Sequence, residues 1–226
     1  MASPSDRMTA LRTLSLLEAR VLGVLVEKQH TVADSYPLSL NALVLGCNQK
    51  TARDPVINAT EAEVLTAVDG LKALALVVEV SGSRVSRYEH NARRVLGVPD
   101  QSVALLTQLM LRGPQTAAEL RASTERLHRF ADISSVEGFL DELAAREPPL
   151  VVLLPRAPGA REPRWAQLLC GPVEAGSVGV APGPDEFVAA GEIAALKAEQ
   201  ARLSADVAAL RALVSRIAAE LGIDAS

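Results

Sequence analysis

Apolar residues recur at helical spacing in two segments of the chain that follow one pattern. A helix opens at Thr60 in the first copy, and the segment that begins at Ser134 opens a helix in the same way in the second. The apolar positions are Val64, Val68 and Leu71 in the first helix and Val136, Leu140 and Leu143 in the second. Each helix leads into an apolar run, 76–80 or 150–154, that is typical of a strand. The helices align at an offset of 72 residues, from 64 to 136, which indicates an internal repeat.

Two further helices are predicted ahead of the first copy of this unit. The first starts at a capping box formed by Ser15 and Glu18, and its apolar positions end near Lys28. The second is capped by Ser39, and we expect Asn48 to end it in the left-handed conformation.

The resulting order of elements is helix, short extended segment at Pro37, helix, helix and two-stranded hairpin, which is the order of a winged helix. The second copy repeats this order from a helix at 100–111 and a capping box at Thr116. The expected hairpin strands are 76–80 with 84–88 and 150–154 with 165–169. The sequence therefore predicts a mainly α protein with small β wings, in which two tandem winged-helix (helix-turn-helix) domains occupy 14–97 and 98–170.

The end of the chain has a different pattern. Residues 171–190 are rich in Gly, Pro and Ala and indicate a linker, and residues 191–222 carry apolar positions at heptad spacing, which predicts a coiled-coil helix. The predicted dimer interface is Ile193, Leu196, Leu203, Val207, Leu210, Val214 and Ile217. Valine and leucine alternate there in the way that favours a parallel two-stranded coiled coil, so the first expected partner is a second copy of the chain. The alternative is one amphipathic helix that folds back on a winged domain.

Composition and charge narrow the function classes. The 226 residues carry a net charge of −4, which argues against a generic polyanion binder. Residues 173–226 hold 8 acidic and 4 basic side chains, so the negative charge belongs to the tail and the repeats are near neutral. No apolar run approaches the roughly 18 residues of a membrane span, and we expect a soluble cytoplasmic protein without membrane partners.

Motifs for catalysis or metal binding are absent from the sequence. Cys47 and Cys170 lie far apart, and His30, His90 and His128 have no ligand spacing. The sequence also lacks the glycine-rich phosphate loop and the nucleophile elbow of hydrolases. We therefore expect no catalytic residue, no metal and no cofactor, and a protein that is not an enzyme.

Three blocks of the sequence carry a resemblance to a known family. The blocks are Tyr36–Leu43, Cys47–Val56, and Gly82–Val85 with Tyr88–His90. Together they resemble the YceH family of uncharacterised bacterial proteins over about residues 14 to 172. The resemblance implies tandem winged-helix domains and no settled biochemical activity. Ala52 stands where the resemblance leads us to expect a polar residue such as Asn.

The helices that a winged-helix protein would lay in the DNA major groove are acidic here. Each helix carries three acidic residues and one basic residue. They are Glu61, Glu63, Asp69 and Lys72 in the first helix, and Glu137, Asp141, Glu142 and Arg146 in the second. Duplex DNA carries about one negative charge per 1.7 Å, so placing either helix in a groove would be repulsive.

Polar and basic residues lie instead on the predicted wings and in the loop at 48–53. The candidate contact residues for a nucleic acid or another partner are Asn48, Gln49, Lys50, Arg53, Arg84, Arg87, Arg156 and Arg161. One hypothesis is a DNA-associated regulator that contacts the duplex backbone through these residues. The alternative is a protein adaptor that uses the winged helices as docking modules. For single residues, the competing interpretation is that Arg53 pairs with an acid and that Asn48 and Gln49 satisfy turn backbone.

Overall fold

The computed structural model describes residues 12–80, 85–156 and 158–173. These residues form a mainly helical structure with two small antiparallel sheets, which confirms the predicted fold class at this level. The helices are α1 (Leu16–Thr31), α2 (Leu40–Cys47), α3 (Glu61–Ala73), α4 (Ala92–Leu96), α5 (Asp100–Arg112), α6 (Ala117–Ser123) and α7 (Ile133–Ala144), with a 3-10 turn at Ala33–Ser35. The strands are β1 (Leu38–Ser39), β2 (Val77–Val80), β3 (Arg87–His90), β4 (Val151–Leu153) and β5 (Trp165–Gln167).

The predicted coiled coil at 191–222 lies outside the described residues, as does the predicted linker after Val173. The dimer interface predicted from Ile193 to Ile217 therefore stays a prediction. Within the ranges that the structure describes, no helix is both long and apolar enough to cross a membrane.

Reciprocal caps begin α1 and α6, as the sequence predicts, and also α3, for which the sequence predicts the start at Thr60. A Ser or Thr hydroxyl accepts a hydrogen bond from the N–H three residues later, and the Glu at that position accepts one from the cap N–H. The pairs are Ser15 with Glu18, Thr60 with Glu63, and Thr116 with Glu119. These bonds satisfy donors that a helix start leaves without intrahelical partners, so short-range sequence signals set these boundaries.

Two predicted helix ends are wrong. Helix α1 continues past Lys28 to Thr31, because its last turn is exposed and carries no apolar position that could mark it in the sequence. Asn48 ends α2 with a φ of −88° and is not left-handed. Its side chain is bound to Ala59, and this contact across the following loop replaces the expected turn.

The start of α7 also differs from the prediction, and the difference extends the repeat. The cap is Asp132 and not Ser134: the Asp132 carboxylate accepts from the Ser135 N–H at 2.7 Å. Asp132 follows Thr60, the cap of α3, by the same offset of 72 residues, from 60 to 132. The two helices are therefore equivalent from the cap onward.

The two small sheets pair their strands in the same way. The first has the strand order β1-β3-β2, in which Leu38 of β1 pairs with Tyr88 of β3. The second consists of β4 and β5, and an isolated antiparallel bridge joins Gln115 to Trp165 of β5. Both partners of this bridge lie 77 residues after their counterparts, from 38 to 115 and from 88 to 165. The bridge is thus a shortened version of β1 pairing, and the repeat includes the sheets.

Helix α1 lies at the centre of the described structure. Its residues from Glu18 to Val26 are buried, and it packs against α2 and α3 of the first copy and against α5 of the second. One hydrophobic core therefore runs from one copy into the other. The predicted boundary falls beside Gly97, which has a φ of +61° between α4 and α5. The division into two domains stays a prediction.

Glycines allow the helices to approach α1 closely. A methyl group added to Gly46 of α2 would lie 2.5 Å from Cγ1 of Val24, and one added to Gly23 of α1 would lie 2.9 Å from Cδ2 of Leu111 in α5. A methyl group on Gly70 of α3 would overlap a carboxylate of α1. Such distances are shorter than van der Waals contact, so a side chain at these positions requires the neighbouring side chains or the helices to shift.

We predict that Gly46→Ala lowers the free energy of unfolding by about 1–3 kcal/mol, because the added methyl group displaces Val24. Gly138→Ala is the matched control, since Gly138 is helical in α7 and has nothing within 4 Å of the added group. There the same change should stabilise by about 0.5–1 kcal/mol through helix propensity. Urea unfolding followed by circular dichroism measures both. Equal effects of the two changes would contradict the close-packing constraint.

Candidate binding surfaces

The first two residues of the predicted contact loop hold the chain between α2 and α3. The Asn48 side-chain amide donates to the Ala59 carbonyl at 2.8 Å and accepts from the Ala59 N–H at 2.7 Å. The Gln49 amide donates to the Thr51 carbonyl at 3.2 Å and accepts from Lys28 Nζ at 3.2 Å. Both amides thus satisfy local polar groups, which is the second of the two interpretations that the sequence left open.

Arg53 lies inside the protein. Its Nη2 donates to Oε2 of Glu27 at 2.6 Å and its Nη1 donates to Oε1 at 3.1 Å, so the ion pair is bidentate. Its Nε donates to the Gly46 carbonyl at 3.2 Å, and its side chain has no exposed surface. A partner that binds to the outside of this fold does not reach the guanidinium. Arg53 instead fastens the loop to α1 and α2.

Burial and the charge of Arg53 have opposite effects on the pKa of Glu27. Burial raises the pKa of Glu27, but the hydrogen bonds and positive charge of Arg53 outweigh it and hold that pKa below its ordinary value. The neighbouring Cys47 is fully buried, and burial raises the pKa of its thiol to about 12. Cys47 is therefore a protonated core residue at neutral pH and has no nucleophilic role.

Ala52 has a φ of +58°, in the left-handed region. A residue with a Cβ is strained there by roughly 1–2 kcal/mol, whereas Asn and Gly adopt this conformation readily. This explains in physical terms why the resemblance leads to an Asn at the position. The polar residue expected at 52 serves the backbone turn that directs Arg53 inward.

Four of the predicted contact residues keep their charge on the surface. They are Lys50, Arg87, Arg156 and Arg161. None of the four forms an ion pair with a carboxylate in the part of the chain that the structure describes. Arg87 donates to the Pro37 carbonyl at 2.7 Å, which holds its side chain beside β1. Arg84 lies outside the described residues.

The exposed face of α3 combines acids with an apolar side chain. Glu61, Leu65 and Asp69 follow one another at four-residue spacing and are all exposed, and Leu65 keeps 39% of its surface. Glu63 is occupied by the cap, where the N–H and hydroxyl of Thr60 lower its pKa. Lys72, the base of this helix, pairs with Asp69 of this face at 3.7 Å and more closely with Glu79 of β2, so it offsets the charge of Asp69 only in part.

The equivalent face of α7 has the same character. Ile133, Glu137 and Asp141 are exposed at the same spacing, and Ile133 keeps 43% of its surface. Both helices therefore present an apolar group among carboxylates, a combination that favours contact with a basic and partly apolar protein surface over contact with phosphates.

The sequence did not predict a cleft of about 470 Å³ between the two copies. Its walls come from α1, the segment 54–59, the end of α5 and the chain around β5. Most of the lining is apolar, and Leu17, Ile57 and Met110 belong to it. Arg20 of α1 also lines the cleft and is the one sequence signal for it, because a basic residue stands among the apolar positions of that helix.

Within the described ranges, no group of three or more His, Cys, Asp or Glu side chains could hold a metal ion.

The chain is similar to a family of bacterial proteins along most of its length. A family model described as a protein of unknown function, DUF480, matches residues 14–160. The chain is 74% identical to a UPF0502 protein of Methylibium petroleiphilum over 219 residues, which cover 96% of this chain and 94% of the relative. It is 70% identical to a UPF0502 protein of Burkholderia multivorans, with 99% and 94% covered, and 67% identical to one of Paraburkholderia xenovorans, with 96% and 92% covered.

The chain belongs to the DUF480 family. This confirms the family recognised from the three sequence blocks. Two of those blocks meet in this DUF480 protein, because β1 of the first pairs with β3 of the third. The second block contains Asn48 and Arg53, so its most distinctive polar residues hold the loop together.

We predict that Arg53→Met lowers the free energy of unfolding of this DUF480 protein by about 3 kcal/mol, because the partly buried Glu27 carboxylate loses its bidentate partner and keeps only Lys28, at 3.3 Å. The matched control is Arg93→Met. Arg93 pairs with Asp100 at 2.8 Å, but both side chains are mostly exposed, and we expect a change within about 0.5 kcal/mol. Urea unfolding of both variants checks the difference. Similar losses would show that the Glu27–Arg53 pair does not anchor the loop.

Proposed function

We propose that this DUF480 protein is a non-enzymatic, cytoplasmic tandem winged-helix protein that acts as a protein adaptor. Each copy has the element order of a winged helix, and the bridge from Gln115 to Trp165 supports the same arrangement in the second copy. The helices α3 and α7 hold the position of recognition helices in that arrangement. In this proposal they dock a protein partner and do not enter a DNA groove.

The exposed acidic faces of α3 and α7 are the observation that carries the proposal. Carboxylates and one apolar side chain stand together on each face, at Leu65 and at Ile133. Arg53, which could have supplied positive charge beside α3, is turned inward and neutralised by Glu27. The partner surface that complements these faces is basic and partly apolar.

A second candidate function is contact with the backbone of duplex DNA through the wings. The observation that favours it is the set of exposed bases Lys50, Arg87, Arg156 and Arg161, which have no carboxylate partner among the described residues. In this form the protein is a DNA-associated regulator that binds phosphates without reading bases.

Both functions are proposed for a dimer held by a parallel coiled coil over 191–222. Two copies would present two sets of docking faces, and the second contact would gain from the first through effective concentration. The same segment packed against its own chain is the alternative to the dimer.

We predict that a photo-crosslinking residue at Leu65 or Ile133 captures a protein in cells, because these exposed apolar side chains lie beside the carboxylates of the acidic faces. Leu45 is the matched control, since it is an exposed leucine on a different helix, α2. The double change Glu61→Lys and Asp69→Lys should weaken capture at Leu65 by about tenfold through charge repulsion. Capture that is equal at Leu45, or that survives the charge reversal, would contradict docking through α3.

Duplex binding at different salt concentrations separates the two candidates. The adaptor predicts no binding of a fluorescent duplex at about 50 mM salt. Wing contact predicts affinity that falls with the logarithm of salt concentration, with a slope reduced by about two when Arg156→Ala and Arg161→Ala are combined. Arg93→Ala is the control, because Arg93 is exposed but already paired with Asp100. Fluorescence anisotropy measures each slope.

A further inference from the structure

Arg20 is a buried cation in the wall of the cleft between the two copies. It retains 3% of its surface and lines the cleft together with apolar residues. Its Nη1 donates to the Cys47 carbonyl at 3.2 Å and its Nη2 to the Pro55 carbonyl at 2.7 Å. Among the described residues its Nε has no hydrogen-bond partner, and no carboxylate forms an ion pair with it.

This environment is unfavourable for a guanidinium without an anion. Buried charges in proteins are paired or extensively hydrogen-bonded, because transfer of an ion from water costs several kcal/mol. Arg53, the other buried arginine nearby, is already neutralised by Glu27. Burial and then the charge of Arg53 lower the pKa of Arg20. An anion bound at Arg20 would neutralise this buried positive charge.

Two acids also line the cleft, Asp54 and Glu63, and both are exposed. Glu63 is held by the N–H and hydroxyl of Thr60, each at 2.7 Å. Asp54 acts on Arg20 through its charge without forming a hydrogen bond to it. Water screens exposed charges far more than buried ones, so the potential inside the cleft follows the buried cation.

We propose that the cleft binds a small, largely apolar molecule that carries a carboxylate, with the carboxylate at Arg20. The volume of about 470 Å³ fits such a ligand, and the lining offers apolar contacts from Leu17, Ile57 and Met110. This inference goes beyond the proposed function, because it needs neither a protein partner nor DNA.

The position of the cleft brings a ligand close to the start of α3. Ala59 lines the cleft, and Asn48 clamps its backbone just before α3 begins. Pro114 and Gln167 line the opposite side and belong to the second copy. A ligand that fills the cleft would therefore contact both copies and the segment just before α3.

The test uses octanoate as the probe, with octanol and octylamine as matched compounds that replace the carboxylate. The methyl group of Met110, labelled with carbon-13, reports binding by NMR. We expect octanoate to shift the Met110 signal with a Kd of about 1 mM and octanol to bind at least about tenfold more weakly. Equal binding of octanol, tighter binding of octylamine, or no shift at about 10 mM octanoate would each overturn the proposal.

Variants distinguish the cleft from non-specific binding. Arg20→Met should abolish the preference for octanoate over octanol. If this variant fails to fold, Asn58→Trp decides the question, because Asn58 is exposed at the rim and a large ring there fills the cleft. Asn58→Trp should prevent the Met110 shift, whereas Asn41→Trp, at an exposed position on α2, should leave it unchanged. Persistence of the shift in Asn58→Trp would place the ligand elsewhere and overturn the proposal.

Discussion

The close packing of α1 against helices from both copies is the constraint on which the rest of the structure depends. From Glu18 to Val26 this helix has almost no surface, yet Glu18 and Arg20 there are charged, as are the half-buried Glu27 and Lys28 that follow. Arg12 pairs with Glu18, and Arg53 pairs with Glu27. The segments that enter and follow the first helices are held in place by these pairs, so the geometry of the surface loops follows from the burial of one helix.

The same constraint sorts the arginines into two groups. Arg20 of α1 bonds to the loop between α2 and α3, and Arg53 of that loop bonds back to Glu27 of α1, so both are buried and contribute no charge to the outside. Arg87 and Arg156 stand on the hairpins and remain exposed. The acids of α3 and α7 therefore dominate the faces of those helices. An overall charge near neutrality in each copy conceals this separation of signs between the interior and the surface.

Short-range signals in the sequence were sufficient for much of the fold. Capping boxes at Ser15, Thr60 and Thr116 depend on residues three apart, and the repeated apolar positions identify α3 and α7 directly. Pairs of residues far apart in the chain could not be predicted from the sequence. Glu27 and Arg53 are 26 positions apart, and nothing in their local patterns links them.

The candidate sites were predicted less completely for the same reason. Lys50 and Arg87 are exposed, as a contact role requires. Arg53 is also basic and lies three residues after Lys50 in the same loop, yet it is buried. The cleft arises where two copies meet, and only tertiary structure brings Ile57 beside Met110. Local rules thus identify helix starts, whereas the burial of a charge depends on which distant segment packs against it.

The bridge from Gln115 to Trp165 has a practical consequence for spectroscopy. Trp165 is the single tryptophan of the chain, and its counterpart in the first sheet is Tyr88. Indole emission consequently reports on the second sheet, while ellipticity reports mainly on the helices of both copies. Since one core joins the copies, coincident melting of the two optical signals would identify them as a single cooperative unit, and separated transitions would reveal two.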